Sequence, residues 1–468
     1  MQFTIARFER ALAATLPPSA PDGARRLCVA LSGGLDSSTL LVALAELAHE
    51  RPGPWALRAL HVDHGLHADA PQWSRASEAL ARSLDVPFAR VCVNARPAPG
   101  ESPEAAAREA RYAVFRQQLG PGETLLTAHH ADDQLETVLL QWLRGGGLRA
   151  VAGMAPLSRF GRDGWLARPL LGFERAELER YARQRGLTWV QDPANADLRF
   201  DRNYLRHAVL PALQRRWPAA ARTAGRVAEF ARDALALEAE VAAHDLDAVA
   251  RGRAIDLARL HALSDARQRA VLRAWITALG LPLPAAETLA ALRTAADVAA
   301  CDRNPRTEWP GAIVHRYRGC LHAQARDPPP VAEGVWQPGR STRHAWSAAS
   351  TLELQPATGE GLSRARLPTQ LRVARREGGE QFRPAGGAHR RPLRKWLQEH
   401  GVLPWRRADL PLLLDEAGRI VAVADLGWAH EYAAQADEPS WRVAWQDKGI
   451  VTEADAFGSG WQGHPPIG

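Results

Sequence analysis

The feature that most constrains this chain is residues 27–40, LCVALSGGLDSSTL. The apolar run at 27–31 has the length of a buried strand, and Leu40, Leu41, Ala43, Leu44 and Leu47 then recur at helical spacing. Between them lies Ser32-Gly33-Gly34-Leu35-Asp36-Ser37-Ser38. A strand, a glycine–serine turn and a helix together make an anion cradle. The glycines let the backbone come close to phosphate, and the N–H groups and dipole of the helix start face its charge. The hydroxyls of Ser32, Ser37 and Ser38 add donors. No Lys follows the glycines and the spacing differs, which excludes the lysine-bearing Walker A loop. The turn carries an acid instead. A carboxylate beside a polyphosphate repels it unless a cation lies between, so Asp36 is expected to bind Mg²⁺. The alternative is an ordinary turn whose Asp caps the helix.

The same alternation continues along the chain. Residues 56–62, 88–93 and 124–128 read as strands, with helical spacing over 73–84 and a helix opened by Ser102-Pro103. Alternating strands and helices predict an α/β fold, a doubly wound, mostly parallel sheet with helices on both faces. Ligands bind such sheets outside the carboxyl ends of the strands. Three polar clusters fall there: the glycine turn, His61-Val62-Asp63-His64-Gly65, and His129-His130-Ala131-Asp132-Asp133. A single active site at one sheet edge is the expectation.

A chain of 468 residues exceeds one hydrophobic core. The expected division is a catalytic domain over 1–217, a mainly helical middle domain over 218–326, a linker over 327–351, a small α+β module over 352–447 and a disordered tail over 448–468. The middle domain opens on a long helix in which Val227, Phe230, Ala234, Leu237 and Val241 step at three and four. Nothing reads as a signal peptide or a membrane span, so a cytosolic, membrane-free protein is expected. Cys28, Cys92, Cys301 and Cys320 never approach CxxC spacing. Cys28 and Cys92 sit in apolar strands and are expected as buried thiols. The net charge of +7 permits a polyanionic partner, and it is carried almost wholly by Arg, since Lys395 and Lys448 are the only lysines.

Other candidates lie further along. A helix from about 132 to 144 is expected to bury Leu135, Val138, Leu139, Trp142 and Leu143, leaving Asp133 and Glu136 together on another face. That pair offers a cation site, or it simply complements the helix dipole. Arg202 and Arg206, one helical turn apart with Asn203 adjacent, offer a phosphate or RNA contact or else a solvated face. In the last module Arg390, Arg391, Arg394 and Lys395 crowd a helix start marked by Pro392. The dipole disfavours cations there, so an external polyanion such as RNA is expected. Trp396 and Trp405 are expected in the core rather than stacked on bases.

SGGLDS resembles the PP-loop of the N-type ATP pyrophosphatases. With HVDHG, EAAAREARYAVF, TAHHADDQLETVLL, RGGGLRAVAGM, RPLL, DPAN and RNYLRHAVLPAL following in order, the chain resembles the tRNA(Ile)-lysidine synthetase family over about residues 25–215. RRPLRKWLQEHGVLPWRR resembles that family's C-terminal tRNA-binding domain. The resemblance implies ATP and Mg²⁺ as cofactors, and free L-lysine and an isoleucine tRNA with a CAU anticodon as partners. The reaction implied is adenylation of the C2 oxygen of the wobble cytidine, followed by displacement of AMP by the lysine ε-amine. Ser32, Gly33, Gly34, Leu35, Asp36 and Ser37 would then bind ATP, Asp36 and Asp133 would be catalytic, and Asp133 and Glu136 would hold lysine. Arg202, Asn203, Arg206 and the C-terminal basic cluster would hold tRNA. His129, His130 and Asp63 remain open as the base, and a homodimer is compatible with all of this. His67 departs from the resemblance, since many relatives carry Arg there. Rival readings are a tRNA-thiolating or amidating PP-loop enzyme, and a tRNA-binding protein whose loop is structural only.

Overall fold

The computed structural model describes residues 2–18, 23–51, 55–63, 65, 69–94, 103–295, 306–326, 330–447 and 451–458. His64, His67 and Cys301 lie outside them, as do 327–329 of the expected linker and 448–450 and 459–468 of the expected tail. Two compact units divide the chain at Leu237/Glu238.

The first unit begins with α1 (Ile5–Thr15) and continues as β1 (Arg25–Ala30), α2 (Leu35–Glu50), β2 (Trp55–Asp63), α3 (Ala70–Ser83) and β3 (Phe88–Cys92). Then come α4 (Pro103–Gln118), β4 (Thr124–Leu126), α5 (Ala131–Leu143), α6 (Leu148–Val151), β5 (Leu157–Phe160), β6 (Gly164–Ala167) and α7 (Arg175–Gln184). The strands form one sheet in the order β3-β2-β1-β4-β6-β5, parallel except for the edge strand β5. Strand order runs outward in opposite senses from β1 and β4, so the crevice beyond their carboxyl ends is the topological switch point of a doubly wound fold. Leu27, Val29, Leu40, Leu44 and Phe173 fill the core on one face, and Cys28, Leu60, Phe115 and Leu125 fill it on the other. Cys28 is buried as expected. Cys92 is exposed instead, because it ends the edge strand β3.

The first unit runs past the expected boundary at Trp217. Helix α10 (Ala220–Val249, after α8, Asp201–Tyr204, and α9, Leu210–Arg216) packs Ala221 and Ala224 against Ala131 and Leu135 of α5. The long helix is present, but its apolar stripe is not its buried face. Val227, Phe230, Leu237 and Val241 are exposed, while Ala221, Ala228, Ala231 and Ala242 are covered.

The second unit joins helices and strands. A five-stranded sheet, ordered 250–251, 254–256, 320–325, 312–317 and 306–309, packs with helices Leu257–His261, Asp265–Ala278 and Ala286–Ala295 around Trp275, Leu272 and Val314. The expected hairpin near 312–323 is its centre. Among the described residues the C-terminal module has a five-stranded, a four-stranded and a two-stranded sheet, with helix Leu393–Glu399 between strands. The expected linker is largely part of it. Residues 334–336 and 343–345 are strands, and Trp336 and Trp346 are buried in the module's core, because two large indoles gain more from burial than a linker allows. Residues 451–458, expected in the disordered tail, include a short helix and the buried Val451. Trp396 is buried as expected.

Trp405 lies flat on His315, with ring centroids 4.1 Å apart and planes 4° apart, and also touches Tyr317 and His322. His315 and His322 are cross-strand partners. Burial, assisted for His315 by Arg306 and for His322 by His315, lowers each from 6.5 to about 4. Both therefore stay neutral in the fold and gain a proton readily only on unfolding. Their contribution is complete above about pH 6.5 and is lost as pH falls toward 4. The thermal midpoint read by tryptophan fluorescence should drop between pH 6.5 and 4.5, and should drop less in the His315→Gln/His322→Gln variant; equal slopes would exclude these residues as the cause.

Candidate active site at the carboxyl edge of the sheet

The glycine turn is held by its own serines. Ser37 Oγ accepts from the Ser32 backbone N–H at 3.1 Å, donates to the Gly34 carbonyl at 3.2 Å and lies 2.9 Å from Ser32 Oγ. Gly33 takes φ +81°, and a Cβ there would stand 2.7 Å from Ser77 Oγ, so both conformation and space require glycine. Gly34 caps α2 with no side-chain hydrogen bond to the first-turn N–H groups. An uncapped helix start at the switch point is an anion site.

Asp36 sits in the first turn of α2. Its Oδ1 is buried without a hydrogen-bond partner, and its Oδ2 is 3.7 Å from His130 Nε2, which also lacks one. Burial pushes the Asp36 carboxyl above the usual carboxylate range, with His130 opposing and Asp133 adding to the rise. An orphaned carboxylate oxygen beside an anion cradle fits a hard cation, which takes oxygen ligands and keeps phosphate and water as the rest of its shell. The helix-cap alternative fails, since Asp36 lies within α2 and Gly34 is the cap.

Helix α5 buries Leu135 as expected, with Val138 and Leu139 half-buried, but its acids are covered too and its far end is not. Asp133 and Glu136 are buried, Glu136 to 1%, while Trp142 and Leu143 at the far end are 61% and 66% exposed. The reason comes from residues 201–209. Arg202 Nε donates to Glu136 Oε2 at 2.8 Å and its Nη2 to Asp133 Oδ1 at 3.2 Å. Arg206 Nε donates to Glu136 Oε1 at 2.6 Å, and its Nη2 to Asp133 Oδ1 at 3.0 Å and to Glu136 Oε2 at 2.9 Å. Two acids and two arginines make a neutral, hydrogen-bonded block, so the acids face inward. Arg206 lies in a π-helical turn, Leu205–Val209. Burial acts against its charge, but Glu136, Asp133 and Asp36 outweigh that and raise its pKa. Burial alone would raise the Asp133 carboxyl; His130, His129, Arg202 and Arg206 hold it well below the usual range. Asp133 Oδ2 also accepts from His130 N at 3.1 Å, so it caps α5 as well.

Arg202 and Arg206 are thus paired with the acids of α5 rather than forming a solvated face. Asn203 donates to the Asp197 carbonyl at 3.0 Å. Asp63 accepts from Arg90 Nη2 at 2.6 Å and from Gly65 N at 3.0 Å, and these bonds outweigh burial and keep its carboxyl low, which makes it a poor base. His129 lies 2.9 Å from Thr127 Oγ1, and burial lowers it to about 3, with Asp133 opposing and Arg168 adding to the fall. Three further polar residues, Asp132, Arg168 and Arg175, also lie at this edge, and no role was expected of them. Asp132 accepts from the Arg175 N–H and from Gln214 Nε2, each at 2.8 Å, and Arg168, in the RPLL segment, donates to the Ala155 carbonyl at 2.6 Å. The pairing of α5 with residues 202 and 206 did have a signal in the sequence, charge matching: acids three apart in α5 and arginines four apart at 202 and 206.

The C-terminal basic cluster is a separate surface. Arg394 and Lys395 are exposed in the first turn of helix Leu393–Glu399, which holds no acid there. Arg390 is exposed, 3.8 Å from Glu431, and Arg391 is half-buried and ion-paired with Glu399. No helix among the described residues is long and apolar enough to cross a membrane.

Residues 5–213 match the PP-loop domain family, 255–322 the TilS substrate binding domain and 371–445 the TilS substrate C-terminal domain. The chain is 37% identical over 420 residues to the tRNA(Ile)-lysidine synthase of Coxiella burnetii, covering 89% of this chain and 92% of that protein. It is 40% identical over 434 residues to that of Alkalilimnicola ehrlichii, covering 90% and 94%, and 41% identical over 433 residues to that of Pseudomonas aeruginosa, covering 89% and 92%. The glycine–serine turn with its acid, the three matched domains and similarity along nearly the whole length agree: this chain belongs to the tRNA(Ile)-lysidine synthase family.

Proposed function

We propose that this chain joins free L-lysine to C2 of the wobble cytidine of a CAU-anticodon isoleucine tRNA, consuming ATP. The observation that carries the reading is Asp36, an acid with an orphaned buried oxygen at the mouth of an uncapped glycine–serine cradle. In the first step the cytidine O2 attacks the α-phosphorus of ATP and pyrophosphate leaves. In the second the lysine ε-amine attacks C2 and AMP leaves with the oxygen. The turn formed by Ser32, Gly33, Gly34, Leu35, Asp36 and Ser37 would hold the triphosphate. Asp36 would hold Mg²⁺, which supplies charge neutralisation for the leaving pyrophosphate. Asp133 and Glu136 are the acids suited to a lysine cation. Nucleoside mass spectrometry of tRNA incubated with the protein, ATP, Mg²⁺ and labelled lysine should show labelled lysidine. A thiolated nucleoside, or no ATP cleavage, would sink the reading.

The C-terminal cluster is proposed as part of the tRNA grip. Replacing Arg390, Arg391, Arg394 and Lys395 by Ala should weaken tRNA binding and flatten its salt dependence by roughly one unit of slope or less per lost phosphate contact. Arg394 and Lys395 should account for most of it, because Arg391 already has Glu399. Affinity against salt for wild type and variant is the measurement, and identical slopes would leave the cluster a solvated face.

A further inference from the structure

We propose that Arg202 and Arg206 are exchangeable counter-ions that occupy the lysine site, and release it only when phosphate from a bound substrate takes them over. The inference rests on Asp133 and Glu136 being the lysine-binding acids. Those carboxylates are already spoken for: Glu136 receives hydrogen bonds from both arginines and Asp133 from both Nη2 atoms. The block is neutral as it stands. A lysine ammonium entering with both arginines in place would leave an unbalanced positive charge in a region where Glu136 is 1% exposed. An arginine leaving with nothing to replace it would strand a buried carboxylate. One-for-one replacement keeps the charge balanced, provided the displaced guanidinium finds another anion.

The geometry supplies that anion's place. Arg206 already feels the charge of Asp36, which lies in the glycine turn proposed to hold the triphosphate. The other ionisable groups around this junction are His130, Asp132 and Arg175, and Asp132 is taken up by the Arg175 N–H and Gln214. Arg206 sits in the π-helical turn Leu205–Val209, a helix irregularity of the kind found frequently at functional sites. A guanidinium fork binds phosphate oxygens as well as carboxylates, so exchange keeps two-pronged contacts at both ends. The consequence is a binding order: lysine is admitted after a phosphate-bearing substrate and not before. A free amine held beside ATP with no tRNA present risks being adenylated wastefully, and this order guards against it if tRNA phosphate is the trigger.

The test is calorimetric titration of L-lysine into the full chain in three states: alone, with Mg²⁺ and α,β-methylene-ATP, which cannot release pyrophosphate, and with unmodified tRNA transcript. Lysine affinity should rise about tenfold or more in at least one phosphate-bearing state, and the state in which it rises identifies the source of the phosphate. By reciprocity lysine must tighten that ligand by the same factor. Arg206→Gln should bind lysine tightly without either ligand, and its coupling should shrink toward one. Equal lysine affinity in all three states of the wild type overturns the proposal, with no variant needed. Unchanged lysine binding in Glu136→Gln overturns instead the lysine-pocket reading on which it rests.

Discussion

Asp36→Asn is expected to leave the protein folded and to abolish nearly all pyrophosphate release. The substitution keeps the side chain's size, and the ionisable contact of Asp36 is a histidine 3.7 Å away, so little native packing is at stake. What disappears is the negative charge that would let a hard cation sit between the turn and the polyphosphate. Loss of such a charge clamp is worth several kcal/mol, which corresponds to a fall of roughly 10²- to 10⁴-fold in rate. The measurement is pyrophosphate release in the presence of tRNA across a Mg²⁺ titration, alongside the thermal midpoint. A variant that turns over near the wild-type rate would show that the acid serves the turn and not the metal.

The second large effect should separate the two chemical steps. In Glu136→Gln the attack on ATP uses the glycine turn and Asp36, so adenylated tRNA should form and accumulate, while lysidine falls by orders of magnitude. A structural cost accompanies this. Glu136 accepts from both Arg202 and Arg206, and neutralising one member of a buried ion network costs about 3–5 kcal/mol in comparable cases. The thermal midpoint should therefore drop. The distinguishing readout is the split between steps, because a merely loosened fold would slow both. Failure already at adenylation would assign Glu136 to holding α5 in place rather than to lysine.

These two residues also mark how far the sequence could be read. The glycine turn was legible because its constraints are local: Gly33 needs a positive φ, Ser37 bonds back within five residues, and α2 follows at helical spacing. The sheet was legible because strand and helix alternate. The burial of Asp133 and Glu136 on α5 was not, because it depends on Arg202 and Arg206, far along the chain. Hydrophobic periodicity pointed Leu135, Trp142 and Leu143 inward; Leu135 is buried, but Trp142 and Leu143 are exposed while the paired acids are covered. The stripe on α10 marked the helix but not its covered face, since a helix lined on its opposite face by alanine can be packed closely there. Trp336 and Trp346 sit among the polar, turn-forming residues that suggested a linker, and only the strands around them reveal their burial.

The packing of α10 against α5 sets a lower limit on what can be inherited as a working nucleotide-binding cassette. Ala221 and Ala224 lie under Ala131 and Leu135, at the start of the helix that carries Asp133 and Glu136. A gene fusion or recombination joint at Trp217 would keep every residue of the glycine turn and still strip the underside from the helix that carries those acids. A joint near Leu237 would carry both. The portable segment is therefore longer than the residues that touch nucleotide, and shuffling among relatives should be tolerated beyond the middle of α10 more readily than at its beginning.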